Sequence, residues 1–383
     1  EIQWDIYTSA DWAEQKTLMF ASPETLPDAF LGKMAISEPD LLVYEDQFVE
    51  LTDGIQKNMP NLSKILESDA DFKTNMTTRE GKILSLGGKL PLRASSANVP
   101  YINKKWLDNL GLDMPKTYKE LEEVLQAFKD KDADGDGDPN NEIPFSYGGS
   151  LSMETNHLLA PFGIVSSRAG NYMALDENNK PFFVPTSERY KEAVKWMHEL
   201  YAKGLVDQEY FTQDTSMYNA KVQSTTGSRV GLIFAWTADA DAGANADEYV
   251  AMPAVKGPDG KQYIECDPSY LNNSGCEFAV TKNCKNVDLL LQWADEFYDD
   301  EVTLQTFFGS IPDQIKKEDD GTYTILPPKK GMSYDVTAWA SSLRDFGPKY
   351  MSKEFEKKVN LSKDGGDGRK IAEDIYKDYA KPT

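Results

Sequence analysis

Alternation and helical spacing divide the chain into a succession of short elements. Residues 1–7 alternate polar and apolar like a strand, and 10–21 carry Trp12, Lys16, Leu18, Met19 and Phe20 at helical spacing. An apolar run at 26–31, closed by Gly32, predicts a buried parallel strand. Helices are expected around 40–45 and 61–66, with an apolar stretch at 48–51 between them and a strand at 82–86. Residues 90–102 read as extended chain leading into a short helix at 103–111 that ends on glycine. Thr117 and Glu120 form a capping-box pair opening a helix to Lys129. Further on, strand patterns fall at 145–149, 230–236, 249–252, 262–266 and 277–280. Helical patterns fall at 154–162, 187–204, 287–298, 301–308, 333–346 and 353–379, with a surface hairpin or loop at 316–321. Strands alternating with helices predict an α/β fold.

The stretch after the helix to Lys129 carries chemistry. From Asp130 to Glu142 there are six carboxylates, which would repel one another without a cation among them. Asp132, Asp134, Asp136 and Asp138 alternate, with Gly137 at the sixth position of a loop begun at Asp132. That is the oxygen spacing a hard cation such as Ca2+ requires, and Asn141 and Glu142 supply the closing oxygens. Glu142 comes one residue earlier than the twelfth position of an EF-hand. The loop is therefore EF-hand-like with a shortened exit, leaving into extended chain. The alternative is a solvated acidic turn.

Bulk properties narrow the function. A chain of 383 residues with 40% hydrophobic residues has material for two or three domains. The net charge of −22 argues against nucleic acid and anionic membrane surfaces as partners. Cys266, Cys276 and Cys284 form no Cys-x-x-Cys pair, and their odd number leaves at least one thiol unpaired. His157 and His198 have no zinc spacing, and so few histidines disfavour histidine-based catalysis. No apolar run is long enough to cross a bilayer. The chain opens at Glu1 without an initiator Met, so a processed or trimmed form is expected.

The run Tyr101-Ile-Asn-Lys-Lys-Trp-Leu-Asp-Asn-Leu-Gly-Leu-Asp-Met-Pro-Lys-Thr-Tyr-Lys-Glu-Leu121 closely resembles the extracellular solute-binding proteins of carbohydrate ABC transporters. The acidic, glycine-punctuated loop one helix later strengthens the resemblance, as do Leu26 to Phe30, Lys203 to Leu205 and Glu301 to Gly309. The resemblance implies a two-lobed, type II periplasmic-binding-protein-like fold with discontinuous lobes joined by hinge strands. One lobe would comprise 1–97 and 276–328, and the other 101–264 and 332–383. Hinges would lie near 92–102, 264–276 and 328–332. It also implies a first strand and helix ahead of Glu1, a structural Ca2+ in the acidic loop, an oligosaccharide ligand and ABC permease subunits as partners. A monomer, lipid-anchored on the outside of a Gram-positive cell, is the implied setting.

Sugar recognition needs flat apolar faces and planar polar groups. On the family's pattern, Trp236 at a strand end and Tyr147 after another are stacking candidates, and Trp339 is a third. Asp239 follows Trp236, and Trp12 with Asp11 lies on the first helix. Tyr270 lies on an expected hinge strand. Arg93, Ser96 and Asn98, with Ser95, lie on the first crossing segment. Ordinary packing or turn chemistry is the alternative for each, and Trp106 and Trp196 are read as core. The leading function is a binding protein without chemistry of its own. The alternatives are a secreted calcium-stabilised glycan-active enzyme, which would need two carboxylates across a cleft, and a surface adhesion module.

Overall fold

The computed structural model describes residues 2–32, 35–89, 98–148, 158–164, 173–175, 178, 180–264, 273–327, 334–344, 346–361 and 375–376. Its strands are β1 (Ala29–Leu31), β2 (Leu86–Lys89), β3 (Val99–Asn103), β4 (Ile143–Phe145), β5 (Met173–Leu175) and β6 (Pro181–Phe183). They continue as β7 (Val230–Ala235), β8 (Tyr249–Ala251), β9 (Asn273–Val280), β10 (Ile315–Lys317), β11 (Tyr323–Ile325) and β12 (Val359–Leu361). Two compact units form from separated stretches. The first takes Glu1–Arg93, Leu271–Pro328 and Val336–Gly365, and the second Ala94–Tyr270, Lys329–Asp335 and Gly366–Thr383.

In the first unit β9 lies between β1 and β2, antiparallel to both. The 26–31 segment is thus a strand only from Ala29, and its pairing is antiparallel, not parallel. Pairing with β9 through Phe30↔Ala279 decides the direction, and no local pattern encodes that partner. Leu51, Met59, Leu62, Phe72, Leu86, Val280 and Leu291 fill the core behind the sheet. Where one helix was expected near 61–66, three come in succession, Thr52–Asn58, Pro60–Ser68 and Ala70–Met76. Pro60 starts the second at a position where its missing N–H costs nothing, and the buried Asp295 carboxylate accepts from the N–H groups of Asn61 (3.0 Å) and Leu62 (2.9 Å).

Three other expectations change here. Residues 2–8 form no strand despite their alternation, and Ile6 is 89% exposed; alternation without a paired neighbour does not make a sheet. Residues 353–379 were expected to be helical. Instead Lys353–Glu356 is a single turn and β12 pairs parallel with β11, itself in a hairpin with β10, while 362–374 and 377–379 lie outside the described residues. Residues 336–365, expected in the second lobe, lie in the first unit. Lys89 N–H donates to the Lys349 carbonyl (2.8 Å) and Arg344 N–H to that of Thr306 (3.0 Å), which ties the segment there.

The second unit is built on the sheet β4-β7-β3-β8. β4 runs parallel to β7, and β3 antiparallel to β7 and β8, so β4, β7 and β8 all point one way. β7 is buried along its whole length, as its unbroken apolar run requires. The helix Lys104–Leu110 is opened by the Asn103 side chain, which accepts from Trp106 N–H (3.1 Å). It closes at Gly111, whose φ of 66° is left-handed and suits glycine. The helix Tyr118–Asp130 starts from Thr117, which accepts from Glu120 N–H (3.1 Å), and buries Leu121, Val124, Leu125 and Phe128. Trp106 is fully buried, edge-on to Phe128 at 5.2 Å, and Trp196 is buried with its indole N–H on Glu122 (3.2 Å). The expected strand at 262–266 is reduced to a bridge between Lys256 and Gln262, with 265–266 outside the described residues.

Replacing Trp106 with Ala should empty part of this core and cost about 3–5 kcal/mol of unfolding free energy. Urea titration followed by circular dichroism measures it. A cost under about 1 kcal/mol would show that the indole is not a core residue.

Candidate functional site

Because β4, β7 and β8 share a direction, one end of the second unit's sheet collects the residues after β4 and β7 and those before β3. In α/β sheets, ligands bind outside the carboxyl ends of strands. Tyr147 comes two residues after β4, Trp236 directly after β7, and Asn98 precedes β3. The register Val99↔Ala235 sets the ends of β3 and β7 side by side. Asn98 donates from its amide to the Tyr147 hydroxyl (3.1 Å), and the Tyr147 ring lies 6.2 Å from that of Tyr218. Tyr218 donates from its hydroxyl to the Asp241 carboxylate (3.0 Å). Trp236 is half-buried, whereas Tyr147 is only 6% exposed.

Behind Tyr147 lies a buried polar network. Ser146 donates its hydroxyl to Asp207 (2.6 Å), which also faces the Lys221 ammonium (2.7 Å). Lys221 reaches Glu209 (2.7 Å) and the Gln213 amide oxygen (2.8 Å) as well. Gln213 in turn donates to the Ser146 hydroxyl (3.0 Å) and the Tyr147 carbonyl (2.9 Å). Each buried charge thus has an opposite charge or a hydrogen bond, as the low dielectric demands. Gly148 completes the packing: a Cβ there would come within 2.3 Å of the Tyr218 ring, so only glycine lets that ring approach.

A cavity of about 40 Å³ also lies in this unit, lined by Asn98, Leu158, Phe234, Met252, Ile264 and Tyr376 among others. That holds a water or two and no sugar ring. A ligand of this unit would rest against the strand ends.

The acidic loop lies at the opposite end of β4. Asp132, Asp134 and Glu142 each place a carboxylate oxygen within 4.8 Å of the others. Asp132 accepts from Gly135 N–H (2.9 Å) and Gly137 N–H (3.0 Å), and both glycines have positive φ, 80° and 98°. Glu142 folds back to accept from Ala133 N–H (2.8 Å). Its other oxygen, and the side-chain oxygen of Asn141, are buried with no partner among the described residues. Burial pushes the Asp134 and Glu142 carboxyls up, and in each case a neighbouring acid adds to the shift. Orphaned buried oxygens beside three crowded carboxylates fit a hard cation well. Asp136 and Asp138 lie outside this group. Their carboxylates cap the loop's own N–H groups at Asp138 (2.8 Å) and Asn140 (3.1 Å), and the first of these bonds, with one from Asn141, holds the Asp136 carboxyl low.

The remaining candidates fall in one unit or the other, or outside the described residues. Trp12 belongs to the first unit, where its indole N–H donates to the Ala35 carbonyl (2.9 Å) and its ring packs near Tyr7 and Phe30. Asp11 accepts from the Thr8 hydroxyl (2.7 Å) at the start of its helix. Asp239 lies partly exposed in the helix Ala238–Ala242. Arg93, Ser95, Ser96 and Tyr270 lie outside the described residues, and so does the side chain of Trp339, which falls in the helix Tyr334–Ser341. Tyr218, Gln213, Lys221 and Asp207 were missed. The Asp214 cap ahead of the helix Thr215–Val222 was the one local sign of them.

This fold and loop match a known family. The chain belongs to the bacterial extracellular solute-binding proteins, whose family model matches residues 1–303. It is 33% identical over 326 residues to the fructooligosaccharide ABC transporter substrate-binding protein FusA of Streptococcus pneumoniae serotype 4 (strain ATCC BAA-334 / TIGR4). The match takes in 82% of this chain and 58% of that protein. The structure of pneumococcal FusA in complex with kestose superposes with a TM-score of 0.86 at 29% identity, covering 99% of this chain and 77% of that one. An EF-hand mutant of FusA in complex with fructo-nystose gives 0.84 at 29% identity, covering 98% and 76%. The mixed α/β architecture is that of two-lobed solute-binding proteins.

Substituting Lys221 by Met should strand the buried Asp207 charge and cost about 3–5 kcal/mol. Chemical denaturation at neutral pH measures this. Stability within about 0.5 kcal/mol of the parent would show the network to be dispensable.

Proposed function

We propose that this chain is the substrate-binding component of an ABC importer, capturing an oligosaccharide and delivering it to the permease. The observation that carries the reading is Trp236, a half-buried indole at the carboxyl end of β7, beside the end of β3 that presents Asn98. An indole face of this kind suits the C–H side of a sugar ring, and Asn98 with Tyr147 adds groups that bond hydroxyls. Similarity to a fructooligosaccharide-binding protein supports the same ligand class. Arg93, Ser96, Tyr270, Trp339, Trp12, Asp11 and Asp239 are proposed as further contacts. Closure of the two lobes around the sugar would present it to the permease. The protein would do no chemistry of its own, and would work as a monomer tethered by lipid outside a Gram-positive cell.

We also propose a structural Ca2+ in the acidic loop, held by Asp132, Asp134, Glu142 and the Asn141 side-chain oxygen, with Asp136 and Asp138 supporting it. When bound, the ion would neutralise the crowded carboxylates. The loop's own N–H bonds would hold those oxygens ready for it.

Calorimetry with a panel including kestose tests the ligand class, with chromatography of the mixtures to detect cleavage. A neutral oligosaccharide should bind without turnover, and Trp236→Ala should raise its Kd about 10- to 100-fold. Binding only to peptides, or product formation, would sink the reading. For the metal, EDTA should lower the melting temperature by about 5–10 °C relative to calcium at roughly 100 times its Kd. Sugar affinity should survive this, because the loop lies at the far end of β4 from Tyr147. Calcium affinity should weaken as pH falls, because the Asp134 and Glu142 carboxyls, already pushed up by burial, must be ionised to hold it. An unchanged melting temperature would remove the metal.

A further inference from the structure

Trp236 runs directly into the turn Ala238–Ala242, and one acid of that turn is placed unlike the others. Asp241 is tucked behind the strand end, with its carbonyl accepting from the Gln223 amide (2.8 Å). Tyr218 is the one donor to its carboxylate among the described residues (3.0 Å), and the residue remains partly open to solvent. Burial pushes its carboxyl up to about 6, with the Tyr218 bond offsetting only part of the cost. The polar groups interacting with it are phenols, Tyr218 from the helix Thr215–Val222 and Tyr249 from β8, while Tyr147 from the end of β4 interacts with Tyr218. Asp239 shares its own helix. Lys221, the one basic residue of the facing helix, is committed to Asp207 and Glu209 at 2.7 Å each.

A desolvated carboxylate short of donors gains most from an incoming hydroxyl and is opposed by a second anion. We infer that the Tyr218–Asp241 pair is a hydroxyl-reading element that admits neutral saccharides and rejects uronate-containing ones. The inference rests on the oligosaccharide reading above and narrows it. Tyr218 fixes the orientation of one carboxylate oxygen and leaves the other for the sugar. The Tyr147–Tyr218 contact joins this element to the groups around Asn98.

The test is calorimetry on the full chain, calcium present, with kestose, maltotriose, mannotriose and trigalacturonate as probes. The parent protein should bind at least one neutral trisaccharide and not trigalacturonate. Affinity for that sugar should be about tenfold lower at about pH 5 than at about pH 7, because a carboxyl titrating near 6 is mostly protonated at the lower value. Asp241→Asn should weaken binding at least about tenfold near neutral pH and flatten the pH dependence. Tyr218→Phe should weaken it less and keep the slope. Trigalacturonate bound as tightly as the neutral sugar overturns the inference, and so does an Asp241→Asn affinity within about twofold of the parent. Should that variant not fold by circular dichroism, the parent profile decides, and a flat one overturns the inference. No sugar bound by the parent, with a peptide bound instead, removes the oligosaccharide reading itself.

Discussion

The parallel pairing of β4 with β7 is the constraint on which the second unit depends. Register is indivisible: slipping one residue would turn every side chain of a strand to its other face. The partners Ile143↔Val230 and Phe145↔Leu232 therefore fix two things together. At one end, Ile143 N–H bonds the Arg229 carbonyl (2.9 Å), and the Arg229 guanidinium reaches back to the Asn141 carbonyl (3.2 Å), closing the acidic loop. At the other, Tyr147 and Trp236 emerge from their strands. Glu142 and Tyr147 are five residues apart, about 17 Å of extended chain. The loop and the aromatic end are thus joined by the short strand β4 and do not touch.

The second requirement is electrostatic. Ser146 and Tyr147 come after a fully buried strand residue, Phe145, and their chain needs polar partners where water is scarce. Gln213 supplies them, and Lys221 with Asp207 and Glu209 keeps that amide in place. Asp207 N–H in turn bonds the Phe145 carbonyl (2.8 Å), so the network is stitched to the strand it supports. An arrangement of this kind favours one geometry strongly over its neighbours. That suits a surface that must hold an aromatic face still while a ligand arrives and leaves.

How far this was legible depends on the range of the signal. Asn103 with Gly111, Thr117 with Glu120, and Ser187 mark helix ends through bonds spanning a few residues, and their helices fall where expected. The turns of the acidic loop were legible for the same reason, since bonds spanning a few residues make them. β1 and β9 are remote in sequence, so their antiparallel direction left no local trace. Nor did residues 353–361 announce a strand, because β12 exists by virtue of β11. Asp241 looked like one more acid after Trp236. Its standing comes from the Tyr218 hydroxyl, on a helix that the pattern did not reveal. Of the aromatic candidates, the position of Trp236 at a strand end was legible in the sequence, whereas the burial of Tyr147 could be learned only from its neighbours.

The connectivity of the two units bears on how the molecule is made. The last strand of the first unit, β12, comes from residues 359–361, while Tyr376 bonds the Met252 carbonyl and fills part of the second unit's core. Neither unit is complete without residues that follow 358. A nascent chain that has emerged only as far as residue 350 lacks an edge strand of one unit and a core aromatic of the other. Domains whose segments are contiguous fold one by one during synthesis; here each unit draws on a late segment of its own. Truncation inside 351–376 would therefore weaken both units together.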